Sequence, residues 1–129
     1  VVDEGCHVRF DGSAWVAVPR PGVVPIRTLT TTAHVLELTD TGRLLETTGS
    51  SSVTVTIPPE ASAPFEIGAL VNITQAGAGV ANVAAATGVS LNGVTGGAVS
   101  LNAQWSGAAL VKRGADAWAI QGALAGPVT

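Results

Sequence analysis

The chain has 129 residues, enough for one domain with a core of its own and too few for two large ones. Its formal charge is −3 and its pI about 5.1, and its six basic residues are scattered. Without a basic stripe to condense on a phosphate backbone, DNA, RNA and anionic lipid are excluded as general partners.

Charged residues make up only 12 % of the chain, about half the usual share. Hydrophobic residues reach 47 %, but much of that is Ala and Val, with 16 Gly, no Tyr and no Met. A core of such small side chains buries little area, and at roughly 25 cal/mol per Å² it is expected to be thin for a monomer. A thin core and few surface charges together imply that copies of the same chain cover part of the surface. No run approaches the ~18 apolar residues of a membrane-spanning helix. The opening VVDEG lacks the basic and apolar regions of a secretion signal and reads as the cut end of a longer chain. Cys6 is alone, so neither an intrachain disulfide nor a multi-thiolate metal site is available.

In chain order, His7–Phe10 alternates as a strand, Asp11-Gly12-Ser13 is a hairpin turn, Ala14–Val18 returns, and Pro19-Arg20-Pro21-Gly22 stops it. Residues 1–22 are therefore predicted as a β-hairpin unit and 23–33, broken by Pro25, as a connector or loose strand. From His34 to the end, residues 34–129 are predicted as a knob domain. Strands are expected at His34–Leu38, Arg43–Thr48, Val53–Ile57, Leu70–Thr74, Val80–Ala85, Val89–Leu91 and Ala98–Trp105, separated by Gly-, Pro- or Asn-bearing turns. Val53-Thr54-Val55-Thr56-Ile57 is the cleanest alternation, with Val53, Val55 and Ile57 facing in. The chain closes on a hairpin in which Ala108–Val111 and Trp118–Ile120 flank a polar turn, Lys112–Ala117. No helix is convincing. Nine to eleven short strands are predicted, and the fold class is all-β: an antiparallel β-sandwich or small barrel.

Catalytic patterns are sparse. His7 and His34 lack the spacing of a zinc motif, and no nucleophile elbow is present. The acids are spread out, so a glycosidase pair would have to be assembled in space, for example from Glu46 with Glu60 or Glu37 with Asp116. No loop has the repeated Asp of a calcium site. The chain is therefore expected to be no enzyme and to need no cofactor or metal. The large side chains are Trp15, Trp105 and Trp118, each next to a turn. Each can plug the end of the core or offer an aromatic face on which the apolar side of a sugar stacks. Trp105, flanked by Gln104 and Ser106, is the best candidate for the second role. His34 reads as a hydrogen-bonded structural histidine, and Arg113 and Asp116 as residues of a solvated turn.

Four stretches carry a resemblance: LTDTGRLLETTGSSSVTVTIPPE, PFEIGALVNITQAGAGVANVAA, GVSLNG and WSGAALVKRGADAWAIQGAL. Together, from His34 to Leu124, they resemble a domain near the C-terminus of bacteriophage tail-fibre and head-spike proteins. The opening EGCHVRFDGSAWVAVP is similar to a hairpin in spike proteins of phages and phage-like gene transfer agents. The resemblance implies a virion-surface, extracellular appendage, a homotrimer associated with other virion proteins, and attachment to a host cell-surface or capsular polysaccharide. It brings no catalytic set; Gly68, Gln75, Gly77, Trp118 and Gly122 read as fold markers. Trp105, Gln104, Asn102, Arg113 and Asp116 are the candidate carbohydrate-binding residues. The alternative is a structural base or trimerisation domain with no ligand site, which the Gly- and Ala-rich stretch 76–98 favours by allowing close approach between subunits.

Overall fold

The computed structural model describes residues 8–10, 15–17 and 23–129. Strands β1 (Val8–Phe10) and β2 (Trp15–Ala17) pair antiparallel with Val8 opposite Ala17, as expected for the hairpin. Cys6, His7, the Asp11-Gly12-Ser13 turn and the Pro19–Gly22 stop lie outside the described residues.

From residue 23 onward the fold is all-β, in two sheets. Strands β3 (Ile26–Leu29), β5 (Leu44–Thr47) and β7 (Leu70–Gln75) belong to one sheet. Strands β4 (Ala33–Val35), β6 (Val53–Ile57) and β8 (Ala81–Ala85) belong to the other. The chain therefore crosses to the opposite sheet after every strand. Neighbours within each sheet are parallel: β3 with β5, β5 with β7, β4 with β6, and β6 with β8. The result is three stacked coils of a short solenoid. A parallel neighbour needs a return path, and the strand in the facing sheet supplies it.

Antiparallel strands close the stack. Strand β11 (Ala98–Ser100) pairs with β8, and β12 (Gly107–Gly114) pairs with β7. Strand β13 (Ala117–Gly122) pairs with β12. The short β9 (Ser90–Leu91) runs parallel to β13, and β10 (Val94–Thr95) pairs with β9. The expectation of an all-β fold of short strands in two sheets is met, but its antiparallel character is corrected for β3 to β8. Alternation such as Val53, Val55 and Ile57 says which face is buried; it is the same whichever way the neighbour runs.

Three elements also differ from expectation. The stretch 23–33, expected as a connector or loose strand, contains β3, a full member of the larger sheet. His34–Leu38 is not one strand: β4 ends at Val35, and Leu38–Asp40 forms a 3-10 turn. The strand expected over Ala98–Trp105 stops at Ser100, and 101–106 is a loop with one isolated bridge, Leu101 to Leu124. Among the described residues no helix is long and apolar enough to cross a membrane.

The core lies between the sheets. Leu45, Val71, Ile73, Leu110 and Ile120 from the larger sheet join Val55, Ile57, Ala81 and Val83 from the smaller in one buried cluster. Trp118 is buried at its end, edge-on to Phe65 with ring centroids 5.2 Å apart. Leu and Ile supply more of this core than the composition implies, and a single copy encloses it. The coils stack through glycine. The Gly77 amide donates to Thr47 O at 3.0 Å and the Gly79 amide to Gly49 O at 3.1 Å. A Cβ at either glycine would overlap the backbone of Gly49 or Ser51. The close approach expected between subunits from stretch 76–98 is here made between coils of one chain.

Candidate functional site

The loop 101–106 follows β11 and is fastened to the third coil. The Trp105 amide donates to Gln75 O at 2.6 Å, the Gln75 amide to Ser106 O at 3.0 Å, and Gln104 Nε2 to Ala76 O at 3.0 Å. Within the loop, the Ser106 amide donates to Ala103 O at 3.0 Å and the Ala103 amide to Ser106 Oγ at 3.1 Å. The Asn102 amide donates to Ala123 O at 2.9 Å. These bonds hold Trp105 in the left-handed region, at φ 71°, a conformation that costs a non-glycine residue about 1–3 kcal/mol. Trp105 is 69 % exposed. Leaving that much aromatic surface in water forgoes about 3 kcal/mol of burial. The loop thus spends backbone strain to present a ring that the core does not use.

Gln75 is the anchor beneath it. Its side chain is buried, and Oε1 accepts the Ala81 amide at 3.0 Å while the main chain holds Trp105 and Ser106. Next to it in register sits Thr47, whose hydroxyl is buried and has no hydrogen-bond partner among the described residues.

Of the five residues singled out for sugar contact, Asn102, Gln104 and Trp105 share this exposed loop. Arg113 and Asp116 do not join them. They stand at the far end of β12, eight residues that span about 25 Å. Arg113 is exposed, whereas Asp116 is a structural tie: Oδ1 accepts the Glu60 amide at 2.7 Å, and its carbonyl accepts the Ser90 amide at 2.9 Å. The polar turn expected from Lys112 is also corrected. Lys112 belongs to β12 and is 1 % exposed, with Nζ donating to Phe65 O at 2.6 Å and to Glu60 Oε1 at 2.9 Å. The inward alternation Ala108, Leu110, Lys112 is visible in the sequence and is the signal that could have placed it. The side chain of Trp15 lies outside the described residues, and Trp118 is a core residue.

A second polar cluster surrounds Asp40, which is wholly buried. Its carboxylate takes Arg27 Nη1 at 2.9 Å, His34 Nε2 at 2.8 Å and the Glu37 amide at 2.9 Å. Burial pushes the Asp40 carboxyl up, but the Glu37 amide, His34 and Arg27 together hold it below the usual carboxylate range. The hydrogen bond from Arg27 holds Glu37 low as well, and both carboxylates raise the Arg27 guanidinium. His34 is the hydrogen-bonded structural residue expected of it. Glu37 is engaged with Arg27, and Asp116 with the Glu60 amide, so the acids weighed as a pair serve different parts of the fold. One groove of about 610 Å³ lies beside Leu38, Phe65, Ile67 and Leu70, with Glu66 as its acid. Among the described residues no group of three metal-ligating side chains converges.

Set against family models and curated proteins, the chain matches none.

Proposed function

We propose that this chain is an attachment domain of a virion-surface fibre or spike, non-catalytic, which holds a host cell-surface or capsular polysaccharide against Trp105. The observation that carries the reading is Trp105, 69 % exposed on a loop strained at φ 71° and held by the six main-chain and side-chain hydrogen bonds described above. Strain of this kind collects where a ligand is clamped. A pyranose stacks its apolar face on such a ring, while Gln104, Asn102 and Ser106 offer hydrogen-bonding partners. Weak single sites suffice, because several copies on one particle multiply avidity. The phage-fibre resemblance of residues 34–124 supports the same reading. A glycan array probed with the purified protein tests it. Retention of particular polysaccharides, lost in Trp105→Ala, is expected; an array with no retention at all sinks it.

A second reading, a structural base or trimerisation domain, is favoured by the outer face of the larger sheet. Ile26, Leu44, Asn72, Ala109 and Gln121 align across it, with Leu70, Val111 and Ala119 in the next row. Two charges on these strands share the outward parity, Glu46 on β5 and Arg113 at the far end of β12. A flat, nearly uncharged face suits burial against another copy in a homotrimer. Light scattering on Ala109→Arg tests it: a trimer that becomes a monomer supports this face, and a wild-type monomer at high concentration refutes it.

A further inference from the structure

The solenoid has two edges where the chain turns from sheet to sheet, and they differ in charge. Residues 23–129 contain ten charged side chains. Eight lie at one edge, in segments 36–43, 58–69 and 112–116, which are joined by Gly42 N to Leu70 O at 2.7 Å and Gly68 N to Lys112 O at 2.7 Å. A ninth, Arg27, reaches the same edge through Glu37 and Asp40. The opposite edge is built from segments 30–32, 48–52, 76–80 and 101–106, and none of them carries a charge. They read Thr-Thr-Thr, Thr-Gly-Ser-Ser-Ser, Ala-Gly-Ala-Gly-Val and Leu-Asn-Ala-Gln-Trp-Ser.

These four segments form one continuous surface. Thr48 Oγ1 donates to Leu29 O at 2.8 Å and the Thr54 amide to Thr32 O at 3.0 Å, which joins the first two. Gly77 and Gly79 seat the third on the second, and Gln104 with Trp105 seats the fourth on the third. Successive segments are therefore about 4.8 Å apart along the stack. Thr31, Ser50, Ser51 and Gln104 are exposed along it, and Trp105 stands at its end.

We infer that the ligand of the Trp105 loop is an uncharged polysaccharide whose chain runs from the indole along this hydroxyl-bearing edge. The inference rests on the attachment reading and narrows it to a chemical class. An acidic glycan brings a carboxylate or sulfate at regular intervals, and recognition of such groups uses Arg or Lys. No cation lines this edge among the described residues. The one charge adjoining it, Glu46 beside Thr47, is negative, and the whole chain carries −3, so approach of a polyanion is opposed. Sugar hydroxyls, by contrast, both donate to and accept from uncharged hydroxyl, amide and backbone groups such as those of Ser50, Ser51 and Gln104. The close seating of Gly77 and Gly79 on the second coil keeps these segments at strand spacing along the edge.

The test is retention of the intact chain on two sets of immobilised polymers at low and high salt. Dextran and mannan are the neutral set, and alginate and hyaluronan the acidic set. Retention on a neutral polymer is expected, unchanged by salt, growing with oligosaccharide length and falling about tenfold or more in Trp105→Ala. Ser51→Lys is expected to gain salt-sensitive retention on the acidic polymers. Retention on acidic polymers equal to or tighter than on neutral ones overturns the neutral class and leaves attachment standing. Failure to bind either set overturns both.

Discussion

Replacing Gly79 with alanine tests the stacked coils on which the Trp105 edge depends. Gly79 does not have a positive φ, so alanine meets no backbone penalty of its own there. The added Cβ would instead overlap the Ser51 carbonyl, which belongs to backbone and cannot swing away as a side chain does. Relief requires the corners of the second and third coils to part. That movement strains the Gly79 N to Gly49 O bond, 3.1 Å, and the neighbouring Val53 N to Val80 O bond, 2.9 Å. Each bond is worth about 1 kcal/mol net, and overpacking adds about 1–3 kcal/mol. The expected loss is about 3–5 kcal/mol, a large part of the ~5–15 kcal/mol that holds a domain together. Gly114→Ala is the matched control, because nothing lies within 4 Å of its new Cβ and its φ is not positive; its effect should stay within ~0.5 kcal/mol. Urea unfolding reads both, with the Gly79 variant shifting the midpoint by about 1–3 M. If the two variants unfold together, the coils do not stack as described.

Five further substitutions probe the buried polar groups, the core and the exposed indole. Lys112→Ala removes a donor from the buried Phe65 carbonyl and leaves a cavity, so a loss of about 2–4 kcal/mol is expected by urea unfolding. Glu60→Gln should cost under ~1 kcal/mol, since the Glu60 side chain is 43 % exposed and solvent screens the pair; equal losses would show that the ion pair, not the carbonyl bond, matters. Asp40 gives a pH signature. Its folded-state value lies below the unfolded one of about 3.9, so its contribution is fully present above about pH 4 and is lost as pH falls through the folded value. Melting temperature measured down to pH 2 should fall less steeply in Asp40→Asn, which should also lose about 2 kcal/mol at neutral pH; parallel pH curves would show that Asp40 is not the group responsible. Trp118→Ala should cost about 3–5 kcal/mol and Trp105→Ala under ~1 kcal/mol, a contrast that thermal unfolding reads directly.

Much of the strand content was legible because burial follows period two. Val53–Ile57, Leu70–Thr74 and the closing hairpin appear where alternation and turn residues put them. Strand direction was not legible, because a strand buried on one face shows the same alternation beside a parallel or an antiparallel neighbour. The length of 58–69 was the available hint, since it is far longer than a hairpin needs. Gly77 and Gly79 announced a close backbone approach, but a sequence does not say whether the other backbone belongs to the same chain. Trp105 stands out in the sequence because Gln104 and Ser106 flank it, but the alternation of Ala98–Trp105 reads as strand, and only the fold shows that 101–106 is a loop. Arg113 and Asp116 were drawn in by their shared turn, and only the fold shows that β12 carries them to the opposite edge. Lys112 reads as a turn residue because Lys is rarely buried, although its strand parity points inward.

The account rests most directly on Trp105, and its emission can report on the ring itself. In a Trp15→Phe, Trp118→Phe variant, Trp105 is the only indole left. Acrylamide should quench it freely in the absence of ligand, and a neutral polysaccharide that the protein retains should shield it and shift its emission to shorter wavelength. A retained polysaccharide that leaves quenching and emission unchanged would contradict the account, because the ligand would then lie elsewhere on the protein.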